Sequence, residues 1–257
     1  MNLPKKNKQQ LKQRIFPVPK ECKKGVWLSD IHFPHQDNNA LQIAINHAYK
    51  EKVDFIVLGG DILDNTAFSR FGIETKDEDI AKVFNLAIEW FAGLRKKFPK
   101  IPIYWLEGNH DIWFKKYIIA NARVLQNDSY FSLESRLKLD AFNIQYLPEN
   151  IVLKFEDLYL HHGHLYFRGN VSPVCPAKTV FSKTNASSLC GHVHQLSQWF
   201  EKTIEGKRIK CYTTGCLSDL TPTYSPFNRY THGFATFRRE GKIAIVRNFA
   251  IDGILED

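Results

Sequence analysis

The chain has 257 residues, 44% of them apolar, and a net charge of +8; it can bury one sizeable core, and neither a disordered nor a membrane class fits. No apolar run approaches the roughly 20 residues of a membrane span, so no membrane partner is expected. Five cysteines (Cys22, Cys175, Cys190, Cys211 and Cys216) form no C-x-x-C pair, which argues against a disulfide framework and a structural zinc site.

Residues 1–25 carry eight bases against the single acid Glu21, and so seven of the eight net charges. With Pro4, Pro17 and Pro19 and no steady period, they read as a basic extended arm before a single domain over 26–257. Such arms attract nucleic acid. The alternatives are a solvated tail or a segment packed on the body through Ile15, Phe16 and Val18. The N-terminus lacks the apolar core of a secretory signal, so the cytoplasm is the expected location.

The first strand falls near Val26–Ser29. Leu41, Ala44, Ile45 and Ala48 then repeat at helical spacing over 38–52, with Asp37 as the expected N-cap. Phe55–Leu58 is a buried strand. A long helix follows, with Thr75 and Glu78 at capping-box spacing and a stripe from Ile80 to Leu94; Pro99 closes it. Ile101–Leu106 is the third strand, and Asp111 to about Gln126 a helix. Shorter strands come next, such as Phe142–Tyr146 and Leu158–Leu160. Pro173–Ser182 reads as irregular or weakly helical. The last strands are 198–204, 208–213, 233–238 and 243–248, with Glu205-Gly206-Lys207 as a hairpin turn. Helix and strand alternate in the first half, and strands dominate the second. Two packed β-sheets with helices outside are expected.

Five polar clusters each end an apolar run: Asp30-Ile31-His32, Gly60-Asp61-Ile62-Leu63-Asp64, Gly108-Asn109-His110-Asp111, His162-Gly163-His164 and Gly191-His192-Val193-His194. Such runs deliver side chains to one sheet edge, where ligands bind in open α/β sheets. Carboxylates, imidazoles and one amide suit transition metals of borderline softness. The glycines form no dinucleotide or P-loop motif.

In this order the clusters resemble the calcineurin-like metallophosphoesterase family: D-x-H, G-D-x-x-D, G-N-H-D/E, H-G and G-H-x-H. The resemblance implies an α/β fold, a four-layer α/β/β/α sandwich of two mixed sheets. It implies phosphate-ester hydrolysis by hydroxide bound to two divalent transition metals, with manganese first and iron or zinc next. Asp30, His32 and His194 would hold one metal, Asn109, His162 and His192 the other, and Asp61 would bridge them. His110 would act on the leaving oxygen, and Asp64 would hold its other ring nitrogen. The phosphoester substrate is expected to be a nucleic acid (DNA or RNA) or a nucleotide diester. A phosphomonoesterase or protein phosphatase is the alternative, as is a non-catalytic nucleic-acid-binding module; Asn65-Thr66 after Asp64 departs from the R-G of protein phosphatases. His164 would line the pocket, and His161 would pack away from it. Asp111 would cap its helix. His35, Arg70, Arg168, Asn170, Arg229 and His232 are loop residues that could meet substrate.

Overall fold

A computed structural model describes residues 12–69, 79–167, 173–222 and 225–251. Along the chain run β1 (Arg14–Pro17), β2 (Lys24–Leu28), α1 (Asn38–Lys50), β3 (Phe55–Leu58), α2 (Ile80–Lys97), β4 (Ile103–Leu106), α3 (Asp111–Asn121) and α4 (Leu133–Arg136). There follow β5 (Ile144–Leu147), β6 (Ile151–Phe155), β7 (Leu158–Leu160), α5 (Pro176–Thr184), β8 (Ser188–Cys190), β9 (Ser197–Lys202), β10 (Arg208–Thr213), β11 (Gly233–Glu240) and β12 (Ile243–Ala250).

The strands form two mixed six-stranded sheets. One has the order β1-β6-β7-β8-β10-β9, the other β12-β11-β2-β3-β4-β5. Strands β2, β3, β4 and β5 are parallel to one another, as are β7, β8 and β10. Strands buried on both faces need apolar residues at every position. In β3, Ile56 and Leu58 face the core under α1 and α2. Phe55 and Val57 face the core between the sheets, against Phe155, Leu160 and Leu189. A smaller core seats Ala177 and Val180 of α5 on the far sheet. The layers are therefore α/β/β/α, as expected. No helix among the described residues is long and apolar enough to cross a membrane.

Helix α1 begins as expected, with the Asp37 carboxylate accepting the Ala40 N–H at 2.8 Å. Helix α2 starts instead from Asp79, whose carboxylate accepts the Ala81 N–H at 3.0 Å; Thr75 and Glu78 lie outside the described residues. Helix α3 stops at Asn121 and gives way to a short 3-10 turn at Arg123–Leu125. The expected strand at Phe142 begins at Ile144, because Leu139–Phe142 is a 3-10 turn. The stretch from Pro173 contains a regular helix, α5, with Pro176 in its first turn, where a missing N–H costs nothing.

The arm drawn at 1–25 does not keep that boundary. From Arg14 the chain is a strand: β1 pairs in parallel with β6, Arg14 opposite Ile151 and Pro17 opposite Lys154. Phe16 packs into the core between the sheets, and Val18 is buried there. Ile15 faces outward, 57% exposed.

Candidate metal centre

All five clusters sit at the C-terminal ends of parallel strands. Asp30 and His32 follow β2, Asp61 and Asp64 follow β3, and Asn109 and His110 follow β4. His162 follows β7, and His192 and His194 follow β8. The two sheets bring these ends together. The His192 N–H reaches both Asp30 carboxylate oxygens at 3.0 Å. The Asp30 and His32 N–H groups each donate across to the next loop, to the Gly60 and Asp61 carbonyls at 3.0 Å.

The convergence is tight enough to strain the backbone. Asp30, His32, Asp61, His192 and His194 all have φ between 51 and 70°, a region that costs a non-glycine residue about 1–2 kcal/mol and that clusters at functional sites. Gly108 and Gly191 are needed for another reason. A Cβ on Gly108 would stand 2.1 Å from Asp61 Oδ1, and one on Gly191 would stand 2.2 Å from Asp30 Oδ2.

Two groups of potential ligands result, Asp30–His32–His194 and Asp61–His162–His192, each with its donor atoms within 4.8 Å of one another. In the first, His194 Nε2 is 3.3 Å from Asp30 Oδ1 and 3.2 Å from His32 Nε2. In the second, His162 Nε2 is 3.0 Å from Asp61 Oδ2 and 3.2 Å from Asn109 Oδ1. Asp61 Oδ2 also lies 4.0 Å from His32 Nε2, so it stands between the groups. His32, Asp61 and His110 form a third triangle of the same size.

The donor set fits cations. His162 Nδ1 donates to the Gly59 carbonyl at 2.8 Å. Its Nε2 lone pair therefore faces a carboxylate oxygen and an amide oxygen, three acceptors aimed at one point. A proton or a metal must lie among them. With protons alone, His162 becomes charged: burial opposes this, but the Asp61 and Asp30 carboxylates raise it to about 9. Burial would raise the Asp61 carboxyl, yet the neighbouring His162 and His110 hold it well below the usual range. His192 is pushed down to about 3 by burial and by the facing His162, so its lone pair is free at neutral pH.

His110 opens α3 beside this centre. Its N–H donates to Asp61 Oδ1 at 2.8 Å, and its ring lies 4.0 Å from that of Trp113. Burial lowers its affinity for a proton, but Asp61 and Asp64 more than offset this and raise it to about 8. Asp64 is shared. Its backbone carbonyl accepts from His110 Nδ1 at 2.5 Å, its Oδ1 is 3.3 Å from that nitrogen and 3.0 Å from His32 Nδ1, and its other oxygen accepts from Thr66.

Among the remaining candidates, His164 lies beside His162 and contacts Glu149 Oε2 at 3.2 Å. His161 is buried against the Tyr166 ring. Burial above all pushes it down to about 3. His232 donates to the Ser218 carbonyl at 2.9 Å, and His35 is exposed on a neighbouring loop. Arg229 lines a cleft of about 980 Å³ that includes His192. Arg70, Arg168 and Asn170 lie outside the described residues. Sequence reasoning missed Tyr230, whose ring stands 4.5 Å from that of His194. No local motif marks it.

A family model described as calcineurin-like phosphoesterase matches residues 26–244. The Gene 54 protein of Mycobacterium phage L5 is 27% identical over 183 residues, which cover 67% of this chain and 69% of that protein. Among solved structures, a single mutant of Vps29 from Entamoeba histolytica covers 90% of this chain and 94% of its own at 13% identity, with a TM-score of 0.45. The phosphoesterase Yfce from E. coli covers 89% and 100% at 17% identity, with a TM-score of 0.40. A dimetal phosphatase from Danio rerio covers 90% and 98% at 11% identity, with a TM-score of 0.42.

Proposed function

This chain belongs to the calcineurin-like phosphoesterase family, and we propose that it hydrolyses phosphate diesters of nucleic acids or nucleotides with the help of two divalent metal ions. The observation that carries the reading is the buried meeting of His162 Nε2, Asp61 Oδ2 and Asn109 Oδ1, where a metal ion would take the place of the proton that otherwise lies among them. Asp30, His32 and His194 would hold one ion, and Asn109, His162 and His192 the other, with Asp61 shared. Such a pair, when bound, neutralises phosphoryl oxygens and acidifies a water. Imidazole-rich sites of this kind suit manganese, iron or zinc better than magnesium.

The protein's own residues supply the rest. His110, whose ring stands beside the Asp64 carboxylate, would donate a proton to the leaving oxygen. Asp64 fixes the Nδ1 side of His110 and His32 together, so both rings keep their free nitrogens toward the centre. Three observations favour an anionic nucleotide substrate: Arg229 on the cleft, no acid among that cleft's described lining residues, and the lysines at 5, 6 and 8. The described thiols, all unpaired, suit a reducing compartment such as the cytoplasm.

A non-catalytic nucleic-acid-binding module is the second reading. The paired His110 and Asp64, which a binding role does not need, argue against it. Metal-loaded protein assayed on bis-p-nitrophenyl phosphate, p-nitrophenyl phosphate, single-stranded DNA, RNA and a phosphopeptide decides. Turnover of diesters and oligonucleotides is expected; turnover of the monoester or phosphopeptide alone would replace the diester reading.

A further inference from the structure

We propose that the loop from Ser225 to Tyr230 and the facing Phe167 form a nucleobase-stacking subsite, which places the base of a nucleotide beside the metal centre. The inference rests on the nucleotide-diester reading above and adds where the base goes.

The cleft has two aromatic walls. On one side Phe167 lies 6.1 Å from the His192 ring. On the other, Tyr230 packs edge-on against His194 at 4.5 Å. Both walls therefore lean on residues of the candidate centre. The cleft that both rings line has a volume of about 980 Å³, at the upper end for small-molecule pockets and ample for a nucleotide.

The loop is built to present its apolar tip. Asn228 donates to the Leu220 carbonyl at 2.7 Å and to the Ser225 carbonyl at 2.6 Å, and its Oδ1 accepts the Tyr230 N–H at 2.8 Å. The Thr231 N–H then donates to the His194 carbonyl at 2.8 Å. With Asn228 bolted down by these bonds, Phe227 and Arg229 on either side of it are held in place along the cleft that all three residues line. Phe227 is 99% exposed, an unusual position for a phenyl ring on a loop fixed by three hydrogen bonds. An exposed ring beside a guanidinium, in a cleft with no acid among its described lining residues, complements a flat aromatic group carrying negative charge. A base stacks on phenyl or guanidinium without sequence preference, and its phosphate remains at the His192 end.

Phe227 has almost no buried surface to lose, so Phe227→Ala should leave the fold intact. Two measurements read it. The first is selectivity, the kcat/KM for thymidine 5′-(p-nitrophenyl phosphate) divided by that for methyl p-nitrophenyl phosphate. Stacking of one base predicts a fall of roughly 5- to 150-fold in Phe227→Ala, and retention in Phe227→Trp. The second is quenching of 2-aminopurine emission in a short single-stranded oligonucleotide titrated with metal-free protein. Quenching is expected with the parent and should be lost in Phe227→Ala. Unchanged selectivity in the alanine variant overturns the subsite, as does an oligonucleotide that the parent fails to quench or that both proteins quench alike; a loop docking a protein partner would give those results. If the loaded parent turns over neither ester, the hydrolysis reading fails, and the 2-aminopurine titration still decides the stacking site by itself.

Discussion

The carboxylate of Asp111 accepts the backbone N–H of Asp61 at 2.9 Å, across fifty residues of sequence. It also accepts from Ile62 N, Leu63 N, Gly108 N and Trp105 Nε1 at 2.9–3.2 Å. A residue expected to cap its own helix is thus the anchor of the loop that carries the central acid of the site. Asp111 is fully buried, and burial together with the nearby Asp61 charge raises it to about 7.

Asp111→Ala leaves these five donors without an acceptor. Unsatisfied buried groups cost about 1–3 kcal/mol each but do not add, so a loss of about 3–5 kcal/mol is expected. Urea denaturation of the metal-free protein measures it, and Asp111→Asn should lose less. A loss below about 1 kcal/mol for the alanine variant would show that the loop stands without its anchor.

His110 gives the pH prediction for turnover. An acid works only while protonated, so kcat/KM should fall at alkaline pH; the value of about 8 in the metal-free protein rests on the Asp61 charge, which bound cations would offset, so the limb should lie below that value in the loaded protein. His110→Asn should bind metal as the parent does, turn over roughly 10²- to 10⁴-fold more slowly and lose that alkaline limb. Loss of a metal ion in this variant would instead make His110 a ligand in the third triangle with His32 and Asp61. Asp64→Asn keeps the backbone carbonyl on His110 Nδ1 but changes the group that faces His32 Nδ1, and so should reduce metal affinity as well as rate.

Metal uptake should carry its own pH signature. His162 has a folded value near 9, above the ordinary 6.5, so its proton stabilises the metal-free fold fully below about 6.5. That contribution is lost as pH rises through 9. A metal must displace the proton, and affinity should therefore climb by about tenfold per unit up to pH 9. Calorimetric titration in buffers of different ionisation enthalpy should register proton release at pH 7. Uptake that is independent of pH from 6 to 9 would contradict the assignment of His162 as a ligand.

The strands that place the site were legible where they are short, mostly apolar runs. Phe55–Leu58, Leu158–Leu160 and Arg208–Thr213 keep their expected bounds. The first two are unbroken apolar runs that end at the clusters. Strand β1 was not legible: its signal is Ile15 and Phe16 among lysines, and only Phe16 turns inward. The clusters themselves could be read because each is local and follows a strand. The roles of Asp111, Tyr230 and Asp64 toward His32 arise from contacts far apart in sequence, where spacing carries no signal.

The N-terminal segment divides at β1. Deleting residues 1–11 removes Lys5, Lys6 and Lys8. If they contact phosphates, the salt slope of single-stranded DNA binding should flatten by up to about 2 in a fold of unchanged stability. Deleting residues 1–17 also uncovers the edge of β6 and should lower the midpoint of thermal unfolding. An unchanged salt slope in the shorter deletion would remove the arm from nucleic-acid recruitment.

The central claim is that the converging acids and imidazoles work by holding two metals. Elemental analysis and bis-p-nitrophenyl phosphate turnover, followed on one sample through exhaustive chelation and manganese addition, test it directly. About two ions per chain, loss of turnover when they are removed and recovery with manganese are the predicted results. A sample shown to be metal-free that hydrolyses the diester at its original rate would contradict it.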